Sequence, residues 1–284
     1  MENKKSWIRS LFSQKPAKPE RSIFPVDRLR PLHTLTGHTG PVSSLAISPD
    51  GQTLISASFD DTIKIWNLAQ GKEVRTLSSP HTIHLVISPD GQTVACGGGY
   101  GNPMIQIWNL AQGREVCTLS GHTGNLDTVK SLVISPDGQT LISASSDRTI
   151  KVWNLAQGKE VRTLSGHTDT VSGLVISPDG QTLVSGGGAN DKKIRIWDLA
   201  QGKKVRTLSG HDPAGITSLA VSPDSQTLVS GTAGRIIRIW DLAQGKEVHT
   251  LSGHGTCSLA ISPDGQTLVS GSFLKTIIIW GIKD

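Results

Sequence analysis

Cysteine is scarce in this chain, with three among 284 residues: Cys96, Cys117 and Cys257 stand at non-equivalent places and show no metal-ligand spacing. That excludes a disulfide framework or a thiolate metal site and fits free thiols in a reducing compartment. No apolar run approaches the ~18 residues that a membrane-spanning helix requires. The first residues lack the uninterrupted apolar stretch of a signal peptide, so a cytoplasmic protein is the expectation. Beyond residue 30 a sustained helical period is missing as well. Excess charge is absent from most of the chain too. Residues 1–30 hold eight Lys and Arg against three acidic residues, which leaves 20 basic and 20 acidic residues in 31–284. The net charge of +5 therefore describes a tail, and no nucleic-acid partner is expected.

What the chain does have is a tryptophan near the end of six successive segments, at Trp66, Trp108, Trp153, Trp197, Trp240 and Trp280, at intervals of 42, 45, 44, 43 and 40 residues. Self-similarity at this period marks a stacked array, in which neighbouring units supply one another's core. A seventh tryptophan, Trp7, lies in an unrelated segment. Each unit contains Ser-Pro-Asp-Gly-Gln-Thr, beginning at Ser48, Ser88, Ser135, Ser177 and Ser262, with Ser-Pro-Asp-Ser-Gln-Thr at Ser222. An Asp-Gly pair between short Val-, Ile- and Thr-rich runs supplies residues that tolerate positive φ and reads as a hairpin connection. In the first unit this predicts strands over 42–48, 53–58, 62–67 and 73–78. The last two are joined by Leu-Ala-Gln-Gly, which recurs in five of the six units.

Gly-His precedes five units, at Gly37-His38, Gly121-His122, Gly166-His167, Gly210-His211 and Gly253-His254. With the Trp-Asp or Trp-Asn pairs, residues 31–284 resemble the WD-repeat (WD40) family, and the near-identical repeats look most like the bacterial type. The resemblance implies an all-β fold, a six-bladed WD-repeat β-propeller with four strands per blade. It also leaves 1–30 as a basic N-terminal tail. The last unit stops after its third strand, whereas Leu32-His33-Thr34-Leu35 matches the fourth-strand sequence Val74-Arg75-Thr76-Leu77. The expectation is that Pro31 to Leu35 completes the blade ending at Trp280 and closes the ring, leaving no open radial edge.

Recurring His, Ser and Asp invite a hydrolase reading. The resemblance instead implies a structural hydrogen-bond network in three units: His38, Ser56, Asp60 and Trp66; His122, Ser143, Asp147 and Trp153; His167, Ser185, Asp191 and Trp197. Three copies of one constellation, with no sign of an oxyanion site or cleft, point to satisfying a buried indole and a buried carboxylate together. In the second unit Ser79-Pro80-His81 replaces Ser-Gly-His, Cys96 takes the Ser position and Asn102 the Asp position. In the fifth and sixth, Gly234 and Leu274 stand where Asp is expected. These three units are expected to be the softer half.

Antiparallel order places the two constant turns on one rim and the loops of varying length on the other. Loops held by a rigid scaffold are where binding concentrates. The variable rim carries Phe59, Tyr100, Met104, Arg148, Lys192, Arg235, Phe273 and Lys275 as candidate partner contacts, apolar anchors beside cations. The alternative for such residues is packing down onto the blade ends. In the tail, Trp7, Ile8, Leu11 and Phe12 share one side of a helix flanked by Lys4, Lys5 and Arg9, which suits an anionic membrane surface or a protein. A leader without function is the other reading, since the amphipathic stretch is only about two turns long.

The favoured function is a non-enzymatic scaffold that binds a protein or peptide on the variable rim, with no catalytic residue, metal or cofactor. Two other classes stay open. One is a peripheral membrane adaptor tethered through residues 1–20. The other is a propeller hydrolase or lyase with its site in the central channel, which would need carboxylates or metal ligands gathered on the inner strands.

Overall fold

The structure is a computed structural model that describes residues 35–79, 82–99, 101–123, 128–211, 214–232, 234, 236–252, 256–262, 265, 268–272 and 277–280. The basic tail, and all of the expected closing strand but Leu35, lie outside the described residues, as do Tyr100, Arg235, Phe273, Leu274 and Lys275.

Strands β1 (Val42–Ile47), β2 (Thr53–Ser58), β3 (Thr62–Asn67) and β4 (Lys72–Ser78) form a four-stranded antiparallel sheet in sequential order, within a residue of the sequence expectation. The second sheet is β5 (Thr82–Ile87), β6 (Thr93–Gly98), β7 (Ile105–Asn109) and β8 (Arg114–Leu119), and the third is β9 (Val129–Ile134), β10 (Thr140–Ser145), β11 (Ile150–Asn154) and β12 (Lys159–Leu164). The fourth and fifth repeat the plan in β13 (Val171–Ile176), β14 (Thr182–Gly187), β15 (Ile194–Asp198), β16 (Lys203–Leu208), then β17 (Ile216–Val221), β18 (Thr227–Thr232), β19 (Ile236–Asp241), β20 (Lys246–Ser252). The sixth has three described strands, β21 (Thr256–Ile261), β22 (Leu268–Ser272) and β23 (Ile277–Trp280).

The β1–β2 turn differs from a two-residue hairpin. It spans five residues, and only Gly51 takes positive φ, at 70°. Asp50 serves through its carboxylate, which accepts the Ser48 hydroxyl at 2.5 Å and the Gln52 N–H at 3.0 Å. Ser48 Oγ in turn accepts the Thr53 N–H at 2.9 Å. The β3–β4 turn is capped by the residue after the tryptophan. Asn67 Oδ1 accepts the Gln70 N–H at 2.8 Å, and Asp198 and Asp241 do the same for Gln201 and Gln244 at 2.7 Å. The Trp-Asp pair thus joins two jobs, an indole for the core and a cap for the turn.

Period-2 alternation gives each sheet two apolar faces, and successive sheets share a core between them. Ile55, Ala57, Ile63, Ile65 and Leu77 of the first sheet meet Leu85, Val94, Cys96 and Trp108 of the second, and four further clusters join each later pair in chain order. Polar clips cross some of these seams. Ser44 Oγ accepts the Leu85 N–H at 3.3 Å, Ser131 that of Leu174 at 3.2 Å and Ser218 that of Leu259 at 3.0 Å. On the constant rim, Arg75 donates to Leu110 O at 3.4 Å and Arg162 to Leu199 O at 3.3 Å, each reaching the turn of a neighbouring sheet. One face lacks a described neighbour. Leu45 on β1 is 61% exposed, whereas its counterparts Leu85, Leu132, Leu174, Leu219 and Leu259 are 7–9% exposed, and Val42 and Ile47 beside it are exposed as well.

Candidate interaction rim and its buried histidine networks

The structure brings each of the three expected constellations together. In the first sheet Ser56 Oγ accepts the Trp66 indole N–H at 2.8 Å and lies 2.7 Å from His38 Nε2, while His38 Nδ1 lies 2.9 Å from Asp60 Oδ2. A carboxylate only accepts, so a neutral ring carries its proton on Nδ1, and Ser56 donates to Nε2. In the third sheet the Trp153–Ser143, Ser143–His122 and His122–Asp147 separations are 2.8, 2.8 and 2.7 Å. In the fourth, Trp197–Ser185 and Ser185–His167 are 2.8 and 2.7 Å, and His167 pairs with Asp191. The Gly of Gly-His lies over the indole, since a Cβ on Gly121 would sit 2.9 Å from Trp153.

These chains have the order of a Ser-His-Asp triad without its access. Ser143 and Ser185 are fully buried, and each hydroxyl is already engaged on both sides by Trp and His. A triad serine must reach a substrate carbon beside oxyanion donors, and these oxygens face the core. Burial acts to raise the carboxyl of Asp60, but hydrogen bonds from Thr62, Thr39 and His38 hold it well below the usual carboxylate range; Asp147 is held low in the same way by His122 and Thr149. Among the described residues no group of three or more His, Cys, Asp or Glu is placed to hold a metal ion.

The other sheets show what each missing member does. The fifth keeps Trp240–Ser230 at 2.7 Å and Ser230–His211 at 2.6 Å, with Gly234 in the aspartate's place in the sequence. In the sixth, Trp280 donates to Ser270 at 2.8 Å. In the second, Cys96 replaces the serine and Trp108 Nε1 is buried without a hydrogen-bond partner. Ser79 there joins Thr82 at 2.7 Å and Gln106 at 2.6 Å. Burial pushes the Cys96 thiol up to about 11, so it is no nucleophile at neutral pH.

Sequence reasoning missed a rewiring in the fourth sheet. Lys64 donates to Glu73 at 2.8 Å and Lys151 to Glu160 at 2.7 Å across β3–β4 and β11–β12. Arg195 stands in the lysine's place, but Lys204 occupies the glutamate's position, so the guanidinium has turned inward to Asp191 Oδ1 at 3.2 Å and is itself buried. Laying Lys64/Glu73, Lys151/Glu160 and Arg238/Glu247 over Arg195/Lys204 exposes that exchange in the sequence.

Three histidines are held neutral. His84, His167 and His211 are each lowered to about 4, by burial first, with Lys130 acting on His84, Arg195 on His167 and Arg238 on His211 against the opposing carboxylates of Asp191 and Glu247. A folded pKa below the unfolded one means stability that is present above about pH 6.5 and lost as pH falls toward 4. Melting temperature should therefore fall steadily between these pH values, less steeply in His167→Gln; a flat profile would contradict the assignment.

On the variable rim, Phe59 (59%) and Met104 (47%) are exposed. Arg148 is exposed and Lys192 half-buried, both with left-handed backbone. Tyr100, Arg235, Phe273 and Lys275 fall on this rim by sequence but outside the described residues.

A family model described as "IFT122 first beta-propeller" matches residues 128–284, more than half of the chain, and one described as "WD domain, G-beta repeat" matches residues 29–67. The chain belongs to the WD-repeat β-propeller family. This WD-repeat chain is 44% identical over 69 residues, 23% of its length and 20% of the relative's, to the uncharacterized WD repeat-containing protein sll1491 of the bacterium Synechocystis. It is 45% identical over 58 residues, 20% of its length and 18% of the relative's, to small ribosomal subunit protein RACK1z of Arabidopsis thaliana. A guanine nucleotide-binding protein subunit beta from the same plant is 39% identical over 67 residues, 23% and 18% of the two chains. The chain spans about a fifth of the length of these curated relatives.

Proposed function

We propose that this WD-repeat chain is a non-enzymatic scaffold that binds a protein or peptide partner on its variable rim. The carrying observation is the exposure of Phe59, Met104 and Arg148 there, where turns differ from blade to blade, while the opposite rim repeats one sealed hydrogen-bond pattern. Exposed apolar anchors beside arginine are the composition of interface hot spots. The relatives' names, a ribosomal subunit protein and a subunit of a guanine nucleotide-binding protein, belong to larger assemblies and support the same reading. A photo-crosslinking residue at position 59 or 104 should capture the partner, and one at Gln70 on the constant rim should not; equal yields from both rims would place the interface elsewhere.

We infer further that the scaffold is a closed six-bladed ring, with residues 31–35 as the fourth strand of the sheet formed by β21–β23. The exposed Val42, Leu45 and Ile47 face supports this reading, because the same positions are covered by a neighbouring blade elsewhere. Ser258 supports it too: it holds the place of Ser44, Ser131 and Ser218, whose hydroxyls clip the next blade.

A further inference from the structure

Four of the five described outer strands hold a glutamate in one fixed setting. Trp66 pairs with Glu73 and Lys64 with Thr76 in the β3–β4 register, and the third blade pairs Trp153 with Glu160 and Lys151 with Thr163. Lys64 donates to Glu73 Oε2 at 2.8 Å and to Thr76 Oγ1 at 2.7 Å, while the Thr76 hydroxyl donates to Glu73 Oε1. The third blade repeats all three bonds. Gln106 and Thr118 hold Glu115 in the second blade, and Arg238 and Thr250 hold Glu247 in the fifth. Lys64 first and then Thr76 keep the Glu73 carboxyl below its ordinary value, so the setting favours an ionised carboxylate. It also opens to solvent, since the Glu73 and Glu160 side chains are 33% and 32% exposed.

The fourth blade keeps the register and reverses the charge. Trp197 pairs with Lys204 and Arg195 with Thr207 across β15–β16, so a lysine stands where the sisters have glutamate while the threonine is retained. Lys204 and Thr207 are both exposed, and among the described residues neither has a hydrogen-bond or ion-pair partner. With the network aspartate included, the first and third blades set one cation against two carboxylates at these positions, and the fourth sets Arg195 and Lys204 against Asp191 alone. Arg195 and Asp191 pair with each other in the interior, which leaves the Lys204 charge uncompensated at the surface. We propose that the outer strand of the fourth blade binds a ligand carboxylate, held by the Lys204 ammonium and the Thr207 hydroxyl as Glu73 is held by Lys64 and Thr76; this does not rest on the rim reading above. One uncompensated positive charge matches a monoanion. It is also far too few for nucleic acid, where about six to ten phosphates are engaged. The four sister strands carry their own glutamate and repel a second carboxylate, so the site is confined to one blade. An acidic side chain of a protein segment and a free organic acid offer the same group, and the test separates them.

The test follows the backbone amides of Lys204 and Thr207 by proton–nitrogen NMR in the full chain. Three probes are titrated: N-acetylglutamate amide, a pentapeptide of alternating Thr and Glu, and inorganic phosphate, with the Gln forms of the first two as controls. An exposed charge pair is weak and screened by salt, so the glutamate probes should give saturable shifts at millimolar concentration that diminish as salt is added. Binding of the pentapeptide about tenfold tighter than the single residue identifies a protein segment as the source, and equal affinity identifies a free acid. Lys204→Gln should weaken binding about fivefold or more, and Lys159→Gln on the outer strand of the third blade should leave it unchanged. Lys204→Glu restores the pattern of four sister blades and so keeps the fold; it should abolish binding while the melting temperature stays or rises. The absence of saturable shifts, equal shifts from the Gln forms, phosphate binding as tightly as the glutamate probes, or indifference to Lys204→Glu would each overturn the proposal.

Discussion

Leu45→Ala should destabilise the chain by about 2–3 kcal/mol, as truncation of a core leucine does, although the side chain is 61% exposed in the described structure. Val161 on β12 is equally exposed, at 61%, and Val161→Ala should stay within about 0.5 kcal/mol, the ordinary range for a surface change. The contrast separates closure from an open arc. In a closed ring Leu45 packs against the sixth blade as Leu85 packs against the first. In an open array each repeat is stabilised only by its chain neighbours, and the end face stays in water. Removal of residues 31–35 should produce a loss of the same kind, because the three-stranded sheet then has no fourth strand to fill its edge. Denaturant unfolding followed by tryptophan fluorescence reads both, and equal small effects for Leu45→Ala and Val161→Ala would reject closure. A concentration-dependent mass in sedimentation that Leu45→Arg abolishes would instead assign the face to a second copy.

The strands of this fold were legible because each repeat is a reading of the same rule. Alternation in Thr53–Ser58 and Thr62–Asn67 marks strands buried on both faces, and the tryptophan period sets the unit length. The three full networks were legible in the same way, by alignment of His38, His122 and His167 with their Ser, Asp and Trp partners. What escaped the sequence depends on neighbours that only packing defines. The clips of Ser44, Ser131 and Ser218 and the reach of Arg75 and Arg162 cross between blades, so no position within one repeat announces them. The Asp-Gly pair was read from composition as residues that tolerate positive φ. The carboxylate of Asp50 turned out to do its work as an acceptor, with Gly51 alone in the left-handed region. The left-handed rim positions were equally hidden, since Asp61, Arg148 and Lys192 share a conformation and no chemistry.

Ser143→Ala should cost about 4 kcal/mol, because it strands two buried groups at once, each worth about 1–3 kcal/mol when left unpaired. The Trp153 indole N–H loses its acceptor and His122 Nε2 loses its donor, both within 2.8 Å of the removed oxygen. Solvent cannot replace it, since Ser143 and its neighbours Ile142 and Ala144 are fully buried. The second blade already lives with this defect. Trp108 Nε1 is buried and unpaired where Cys96 stands in the serine's place, and the sulfur lies 3.6 Å from Gln106 O and 3.5 Å from Ser79 Oγ. Cys96→Ser puts an acceptor before the indole and an O–H before the Gln106 carbonyl, so it should stabilise the chain by about 1 kcal/mol, the net worth of a hydrogen bond. The two substitutions are reciprocal, each converting one blade's chemistry into the other's. Opposite signs in denaturant unfolding, with a downfield shift of the Trp108 indole proton in Cys96→Ser, would identify the shared serine oxygen as the energetic centre of the network. A cost below about 1 kcal/mol for Ser143→Ala would mean that the hydrogen bonds are incidental to the packing of the indole, which then holds the blade by its apolar area alone.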